Sequence, residues 1–320
     1  MISRHRRAVA SLLLGLLLAC SGDPEAHQKV VWTTVRERGV VATFLRPKGA
    51  VVRHAVIVVG GSEGGIPASL GYAFAERGWA VLAVGYFGAP GLPAALANIP
   101  IEGLDGAVAW LQRQPQLDLS DLTLVGVSRG TELALLYASQ TPTIRRVIAY
   151  APSHVAWGPV GPFTDPAVSA WTRGGRPVPY VSHVRAPDYA ATPYRGTPDF
   201  LADLRQAEIV EAAAIPAEQI HGPILLLSGD DDQVWPSRDM GARLLARLTA
   251  AHHPYRDAHV SFPGAGHLIG PGADPGLLTA RHPVGIVMAF GGTRRANRDA
   301  QAQAWGQVLA FLRTPPAPRP

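Results

Sequence analysis

Short runs of apolar residues alternate along this chain with segments in which apolar residues recur at helical spacing. The runs predict strands near residues 30–36, 40–45, 55–60, 80–86, 122–127, 146–151, 223–228 and 258–262. The clearest helical spacing lies near the end of the chain, at Ala300, Ala304, Val308 and Phe311. Because strands that alternate with helices favour a sheet covered on both faces, the pattern predicts an α/β fold with a mostly parallel sheet. The first two strands are expected to form an antiparallel hairpin at the sheet edge.

A glycine and serine motif stands between a predicted strand and a predicted helix. Gly126-Val127-Ser128-Arg129-Gly130 ends the apolar run that begins at Leu122 and precedes a helical pattern from Thr131 to Ser139. A G-x-S-x-G motif on a sharp turn between a strand and a helix is typical of the nucleophile elbow of an α/β-hydrolase. The strained serine backbone leaves no room for a Cβ two positions away on either side, which explains the two glycines. We therefore expect Ser128 to be the nucleophile.

Three consecutive acidic residues follow a later apolar strand. The run Ile224 to Leu227 leads into a loop that contains Asp230, Asp231 and Asp232. A loop at the carboxyl end of a strand is where an α/β sheet assembles its site. Hydrolases of this type usually carry the triad acid four residues before a loop proline, and Asp232 holds that position relative to Pro236. Asp232 is therefore the preferred acid, with Asp231 as the alternative.

A histidine follows the next predicted strand. His259 to Phe262 is succeeded by Pro263-Gly264-Ala265-Gly266-His267, a glycine-rich loop that can bring the His267 ring over the elbow. A serine nucleophile needs a histidine base and an acid that orients the ring, and in this fold they follow in the order serine, aspartate, histidine. The order Ser128, Asp232, His267 fits, so His267 is the predicted base.

The tetrahedral intermediate of acyl transfer also needs backbone N–H donors for its oxyanion. One donor is expected at Arg129, directly after the nucleophile. The second is expected from the loop Gly60-Gly61-Ser62-Glu63-Gly64-Gly65, which follows a buried strand, and Ser62 or Glu63 would supply it. The loop lacks the G-x-G-x-x-G spacing and the lysine of a phosphate-binding loop, so no nucleotide cofactor is expected.

Residues 152–221 break the alternation of strands and helices. They lie between the strand after the elbow helix and the strand before the acid, where this fold carries a lid. Such a long segment is usually functional or disordered. A packed cap over an apolar acyl pocket and a surface excursion held to the core by its aromatic residues both fit. Trp157 in this segment and Trp235 beside the acid are expected to line the pocket. The aromatic residues of the segment are Trp157, Phe163, Trp171, Tyr180, Tyr189, Tyr194 and Phe200.

Further motifs occur in order along the chain, namely Gly60 to Gly65, Ala83 to Gly88, Gly91-Leu92-Pro93, Ile99 to Glu102, Gly222 to Gly229, Trp235-Pro236-Ser237 and Pro263 to Ile269. With the elbow, they resemble the catalytic domain of the acyl-CoA thioester hydrolase and bile acid-CoA:amino acid N-acyltransferase family over about residues 50–313. The resemblance implies acyl transfer from a thioester through a covalent acyl-enzyme, with Ser128, Asp232 and His267 at the matching triad positions. N-acyltransferases of this family tend to use cysteine, so serine favours hydrolysis, and transfer to an amino acid is the alternative.

The first twenty residues are typical of a bacterial lipoprotein signal. A basic segment, Arg4 to Arg7, precedes the apolar stretch Ala8 to Leu18, and Leu17-Leu18-Ala19-Cys20 forms a lipobox. Cys20 is the only cysteine, which excludes an intrachain disulfide. We expect lipidation of Cys20 to anchor the protein to a membrane. Ser21 in the next position favours the outer membrane, facing the periplasm.

The predicted location outside the cytoplasm affects what we expect for the substrate and for the domain organisation. An enzyme outside the cytoplasm meets little acyl-CoA, so an extracytoplasmic carboxylesterase is an alternative to a thioesterase. The expected organisation is a signal over 1–20, a linker over 21–29, an α/β-hydrolase domain over 30–313 and a proline-rich tail over 314–320. Larger members of the family carry an N-terminal β-sandwich domain, which is not expected in the short stretch before the first core strand.

Charge and composition exclude several partners. The formal charge is +5, and three of the positive charges, Arg4, Arg6 and Arg7, belong to the signal, which leaves +2 on a processed chain. No basic patch interleaved with aromatic residues occurs, so no nucleic-acid partner is expected. The single cysteine leaves no cysteine-based metal set, and no metal site is predicted. The oligomeric state and the length of the acyl chain stay open.

Overall fold

The computed structural model describes residues 29–160, 168–184 and 187–318. The predicted signal, Cys20, Phe163 and the linker up to residue 28 lie outside the described residues. The strands are β1 (Val30–Glu37), β2 (Val40–Pro47), β3 (His54–Val59), β4 (Ala80–Gly85), β5 (Ile99–Pro100), β6 (Asp118–Val127), β7 (Ile144–Tyr150), β8 (Trp171–Arg173), β9 (Arg176–Pro177), β10 (Ile224–Gly229), β11 (Ala258–Phe262), β12 (Thr279–Arg281) and β13 (Val287–Ala289). The helices are α1 (Ala68–Ala75), α2 (Asp105–Gln112), α3 (Arg129–Ala138), α4 (Thr197–Asp203), α5 (Ala207–Ala212), α6 (Ser237–Ala250) and α7 (Arg294–Arg313).

The strands predicted from the apolar runs form one eight-stranded sheet in the order β1-β2-β4-β3-β6-β7-β10-β11. The β1 and β2 strands form the expected antiparallel hairpin at one edge, and β2 also pairs antiparallel with β4. From β4 to β11 every neighbouring pair is parallel. The prediction of an α/β fold with a mostly parallel sheet is confirmed. Strand β6 begins at Asp118, earlier than the apolar run had indicated.

Helices cover both faces of this sheet. Successive side chains of β3 point to opposite faces, so Ile57 packs in one apolar cluster and Val58 in the other. The first cluster includes Leu133 of α3, and the second includes Phe74 of α1 and Ala304 of α7. Because both faces are buried, the central strands are continuous apolar runs and not alternating ones.

The described part of residues 152–221 folds into short elements, β8, β9, α4 and α5. Strands β5, β8 and β9 form a small separate sheet. Trp171 is fully buried in the main core and holds the segment there, whereas Trp157 packs in a separate cluster with Trp235 and, less fully buried, Phe200. The aromatic residues of this segment thus divide between the main core and a separate cluster, and the lid stays a prediction.

The carboxyl ends of the parallel strands position the site. The loops after β3, β6, β10 and β11 carry Ser62, Ser128, Asp232 and His267 in turn. Adjacent parallel strands end at the same edge of a sheet, so these loops emerge side by side. Across the ranges that the structure describes, no helix is long and apolar enough to cross a membrane.

Candidate active site

The backbone at Ser128 has the strained conformation of a nucleophile elbow. Ser128 has φ of 52° and ψ of −124° between the end of β6 and the start of α3, and φ in this range is unfavourable for a residue with a side chain. A Cβ on Gly126 would stand 2.4 Å from the carbonyl oxygen of Gly130, and one on Gly130 would stand 2.2 Å from that of Gly60. Strand and helix can cross here only because both positions are glycine.

This steric requirement predicts a loss of stability in Gly130→Ala. The added methyl group would push α3 away from the carbonyl oxygen of Gly60, and we expect a loss of about 1–3 kcal/mol in the free energy of unfolding. The matched control is Gly306→Ala, since a Cβ on this glycine of α7 meets no atom within 4 Å. That substitution should stabilise the helix by about 0.5–1 kcal/mol. Chemical denaturation compares both variants with the wild type, and a Gly130→Ala variant as stable as the wild type would refute the close approach.

Asp232 and His267 form a buried hydrogen-bonded pair. The His267 Nδ1 atom lies 2.8 Å from Asp232 Oδ2, and their side chains are 5% and 2% exposed. The same carboxylate accepts hydrogen bonds from the Ser237 hydroxyl at 2.6 Å and the Val234 N–H at 3.0 Å. With Nδ1–H donated to the carboxylate, the neutral ring keeps Nε2 as a proton acceptor. This is the arrangement that a general base requires.

Asp231 has a different environment. It is exposed, and its carboxylate accepts a hydrogen bond from the Gly292 N–H at 2.8 Å and contacts the Gln233 amide. The neighbouring Asp230 accepts a hydrogen bond from Ser261. Of the three consecutive aspartates, only Asp232 contacts His267.

Among the described residues, no hydrogen bond joins Ser128 Oγ to His267. Ser128 is 6% exposed and lines a cavity at this end of the sheet. Hydrogen bonds between nucleophile and base are often long in the absence of substrate and shorten in the reacting complex. The structure thus joins Asp232 to His267 and places Ser128 in the wall of the cavity.

The expected oxyanion donors differ in position. Arg129 is the first residue of α3, so its amide N–H has no acceptor within the helix. Ser62 lines the same cavity as Ser128 and Arg129, with its hydroxyl 3.0 Å from His282 Nε2. The carboxylate of Glu63 turns back to accept a hydrogen bond from the Gly61 N–H at 2.9 Å. Ser62, and not Glu63, is among the residues that line the cavity.

The cavity has a volume of about 380 Å³ and is largely apolar. Trp157 and Trp235, the two residues expected in the pocket, both line it. The Trp235 ring packs edge-on against His267 with ring centroids 6.1 Å apart. The wall also contains residues that the sequence had not singled out, including Val181, His183, Ile286 and Met288. The last two lie on or beside the hairpin β12-β13, whose short strands carry too few residues to give a periodic signal.

Arg129 and Glu132 form a buried pair beside Ser128. Arg129 Nε stands 3.0 Å from Glu132 Oε1, without the alignment of a hydrogen bond. The second Glu132 oxygen accepts hydrogen bonds from the Trp171 indole at 2.7 Å and the Trp157 N–H at 2.9 Å. Burial raises the pKa of Glu132 to about 7 although Arg129 opposes the shift, and it lowers the pKa of Arg129. Glu132 therefore connects Trp157 and Trp171 to helix α3.

The raised pKa makes stability depend on pH. The folded protein keeps the proton of Glu132 up to about pH 7, whereas a solvated glutamate has a pKa of 4.5. The contribution of Glu132 to the stability of the folded protein is therefore fully present below pH 4.5, and it is lost as the pH rises through 7. Between about pH 5 and pH 8, we expect the free energy of unfolding of the wild type to fall by roughly 2–3 kcal/mol relative to that of Glu132→Gln. Urea denaturation of both proteins across this range measures the difference, and parallel pH profiles would contradict it.

The described ranges contain no group of three or more His, Cys, Asp or Glu side chains arranged to hold a metal ion. Ser128 lines the cavity from its strained turn, and the ring of His267, which is paired with Asp232, packs against Trp235 of the cavity wall.

Comparison with known proteins identifies the family. Residues 99–315 match the family model described as BAAT / Acyl-CoA thioester hydrolase C terminal. The chain belongs to this family. Mouse acyl-coenzyme A thioesterase 2, mitochondrial, is 29% identical over 279 residues, which covers 87% of this chain and 59% of the relative. Mouse acyl-coenzyme A amino acid N-acyltransferase 2 is 26% identical over 282 residues, which covers 87% of this chain and 64% of the relative. The chain thus spans about three fifths of the length of these relatives.

Solved structures of this family's fold include enzymes of several kinds. An esterase of Pyrobaculum calidifontis aligns with a TM-score of 0.52 at 18% identity, covering 88% of this chain and 84% of the esterase. A puromycin-hydrolyzing peptidase of Mycobacterium tuberculosis aligns with a TM-score of 0.54 at 18% identity, covering 91% of this chain and 41% of the peptidase. At this level of identity the likeness establishes the α/β-hydrolase fold alone.

Proposed function

We propose that this protein is a serine hydrolase that cleaves acyl thioesters or esters through Ser128, His267 and Asp232. The observation that carries the proposal is the Asp232–His267 hydrogen bond, 2.8 Å long and buried, at the sheet edge where Ser128 stands on a strained turn. Neither the elbow nor the pair alone would specify the chemistry. Together they supply a nucleophile, a base and an orienting acid beside one apolar cavity.

The first half of the reaction acylates the enzyme. Ser128 Oγ attacks the acyl carbon, and its proton passes to His267 Nε2 while Asp232 stabilises the imidazolium. The N–H groups of Arg129 and Ser62 are the proposed donors to the oxyanion, each worth about 3 kcal/mol of transition-state stabilisation. When the tetrahedral intermediate collapses, the bond from carbon to the leaving sulfur or oxygen breaks, and His267 returns the proton to the leaving group.

The second half regenerates the enzyme. Water enters, His267 Nε2 removes a proton from it, and the hydroxide adds to the acyl carbon. The bond between that carbon and Ser128 Oγ then breaks, Oγ recovers a proton from His267, and the carboxylic acid leaves. Trp157, Trp235 and the apolar wall would hold the acyl chain throughout. Burial of the apolar surface of the acyl chain against these residues supplies the binding free energy.

Family membership favours a thioester as the substrate. The curated relatives include thioesterases that act on acyl-coenzyme A, and the proposed N-terminal signal with lipidation at Cys20 would place this chain at the outer membrane, facing the periplasm. Because little acyl-CoA is available there, an extracytoplasmic carboxylesterase is the second candidate for the same site. Transfer of the acyl group to an amino acid is a third, since an N-acyltransferase is among the relatives.

One experiment separates these candidates. The specificity constant kcat/KM is measured for decanoyl-CoA and for p-nitrophenyl decanoate, with and without glycine and taurine, and with Ser128→Ala as the control. A preference for decanoyl-CoA by orders of magnitude supports the thioesterase, and a preference for the p-nitrophenyl ester supports the carboxylesterase. Formation of N-decanoyl glycine or taurine supports the acyltransferase. Turnover that persists in Ser128→Ala would refute the proposed mechanism.

A further inference from the structure

A second histidine paired with an aspartate, His183, faces the cavity that Ser128 lines. His183 Nδ1 lies 2.5 Å from Asp203 Oδ2, and the other carboxylate oxygen accepts a hydrogen bond from the Val184 N–H at 2.8 Å. Asp203 is buried, with a side chain 3% exposed, whereas the His183 side chain is 22% exposed. His183 lines the cavity that holds Ser128, and the triad described above does not use it.

Backbone hydrogen bonds connect the residues just before His183 to the elbow. The segment that leads to His183 runs beside Trp157, through hydrogen bonds from the Val181 N–H to the Ala156 carbonyl and from the Gly158 N–H to the Val181 carbonyl, both 2.9 Å. Arg129 in turn donates to the carbonyl oxygens of Trp157 and Gly158, at 3.1 and 2.9 Å. These contacts connect the histidine to the first residue of the elbow helix.

A row of aromatic rings separates the two histidines. His183 packs edge-on against Phe200 with ring centroids 5.1 Å apart, Phe200 against Trp235 at 5.9 Å, and Trp235 against His267 at 6.1 Å. Two rings thus lie between the catalytic base and His183. A group that reaches His183 therefore belongs to the distal part of an acyl chain whose carbonyl carbon is at Ser128.

Hydrogen bonding defines what His183 can recognise. In the tautomer that donates Nδ1–H to Asp203, Nε2 is a hydrogen-bond acceptor, and Nε2 has no hydrogen-bond partner among the described residues. An acceptor in this largely apolar cavity is satisfied by an uncharged donor such as a hydroxyl group. A carboxylate would bring only acceptor oxygens and a negative charge close to Asp203. An unsubstituted alkyl chain offers Nε2 no hydrogen-bond donor.

We propose that His183 is a specificity-determining residue for acyl chains that carry a hydroxyl group near their distal end. The hydroxyl donates to Nε2, and Asp203 positions the ring by holding its tautomer. This inference rests on the proposed acyl hydrolase function and deepens it. The preferred substrates are ω-hydroxyacyl esters or thioesters, in preference to unsubstituted acyl groups of equal length.

The test compares matched esters. For each chain length, kcat/KM is measured for the p-nitrophenyl esters of 6-hydroxyhexanoate, 8-hydroxyoctanoate and 10-hydroxydecanoate, and for those of the unsubstituted acids. We expect the wild type to prefer the hydroxylated ester by about tenfold at one length or more. His183→Asn should lower that ratio to about one, since the asparagine amide keeps a donor for Asp203 but removes the acceptor in the cavity.

The matched control is His253→Asn. His253 Nδ1 is 2.6 Å from Asp257, and its Nε2 is bound to the Ile220 carbonyl, outside the cavity. This variant should keep the wild-type ratio. Because each ratio compares two esters on one protein, a general loss of folded enzyme does not move it. A wild-type ratio near one at every length, or a ratio unchanged in His183→Asn, would overturn the proposal.

A binding measurement separates this inference from the proposed function. Calorimetry on Ser128→Ala compares methyl 10-hydroxydecanoate with methyl decanoate, and tighter binding of the hydroxylated ester, lost in the double variant with His183→Asn, supports the subsite even if the wild type hydrolyses no ester. Equal affinities of Ser128→Ala for both methyl esters, together with equal hydrolysis of the p-nitrophenyl pair by the wild type, would overturn the subsite and leave the hydrolase function intact.

Discussion

Ser128→Ala is expected to lower kcat/KM for every acyl ester or thioester by about 10⁴- to 10⁶-fold. In the proposed mechanism this substitution removes the Oγ atom that would form the covalent intermediate, and neither His267 nor the proposed oxyanion donors can replace it. Alanine keeps the Cβ and the backbone of serine, so the strained turn at φ of 52° is unchanged. Steady-state kinetics with a p-nitrophenyl ester measures the loss, and the free energy of unfolding should change by less than about 1 kcal/mol.

A second buried serine provides the control for this prediction. Ser139 follows α3 at its carboxyl end and donates to the Leu136 carbonyl at 2.9 Å. Ser139→Ala removes one buried hydroxyl, as Ser128→Ala does, but at the opposite end of the elbow helix. It should leave kcat/KM within a factor of about two. Equal activities of the two variants would mean that Ser128 is not the nucleophile.

Asp232→Asn is expected to lower kcat by about 10⁴-fold. The asparagine amide cannot accept the Nδ1 proton with the strength of a carboxylate, and it favours the tautomer that places the proton on Nε2. His267 then has no acceptor for the proton of Ser128. Because the side chains have the same shape, the packing beside Trp235 should be retained. The measurement is kcat at saturating ester.

The neighbouring aspartate tests the choice of acid. Asp231→Asn alters an exposed carboxylate whose partners are Gly292 and Gln233, and not His267. We expect a change in kcat of less than about threefold. A large loss in Asp231→Asn together with a small loss in Asp232→Asn would assign the triad acid to Asp231 instead.

The parts of the fold and site that the sequence predicted carry local signals. The strands β3, β4 and β10 are buried on both faces, so each is a continuous apolar run that can be read from a short window. The elbow is readable because its geometry excludes Cβ atoms at Gly126 and Gly130, which restricts residue type at a fixed spacing. These restrictions act within a few residues of the chain, where the sequence pattern is visible.

The missed features depend on contacts between distant segments. His183 and Asp203 are twenty residues apart in a stretch without a periodic pattern, and only the folded chain brings them within hydrogen-bonding distance. Glu132 lies on a helix whose every residue is buried, so its spacing gives no sign of a polar role. The Trp171 indole and the Trp157 N–H that bind it come from a segment without periodicity. A single sequence contains no pattern that reports such pairings.

Covalent labelling of Ser128 tests the central claim most directly. The wild type is treated with a fluorophosphonate, its intact mass is recorded, and the modified peptide is sequenced by mass spectrometry, with Ser128→Ala and His267→Ala in parallel. We expect one adduct on the wild type, located on Ser128, no adduct on Ser128→Ala, and much slower labelling of His267→Ala. An unlabelled wild type, or an adduct on another residue that persists in Ser128→Ala, would contradict the assignment of Ser128 as the nucleophile.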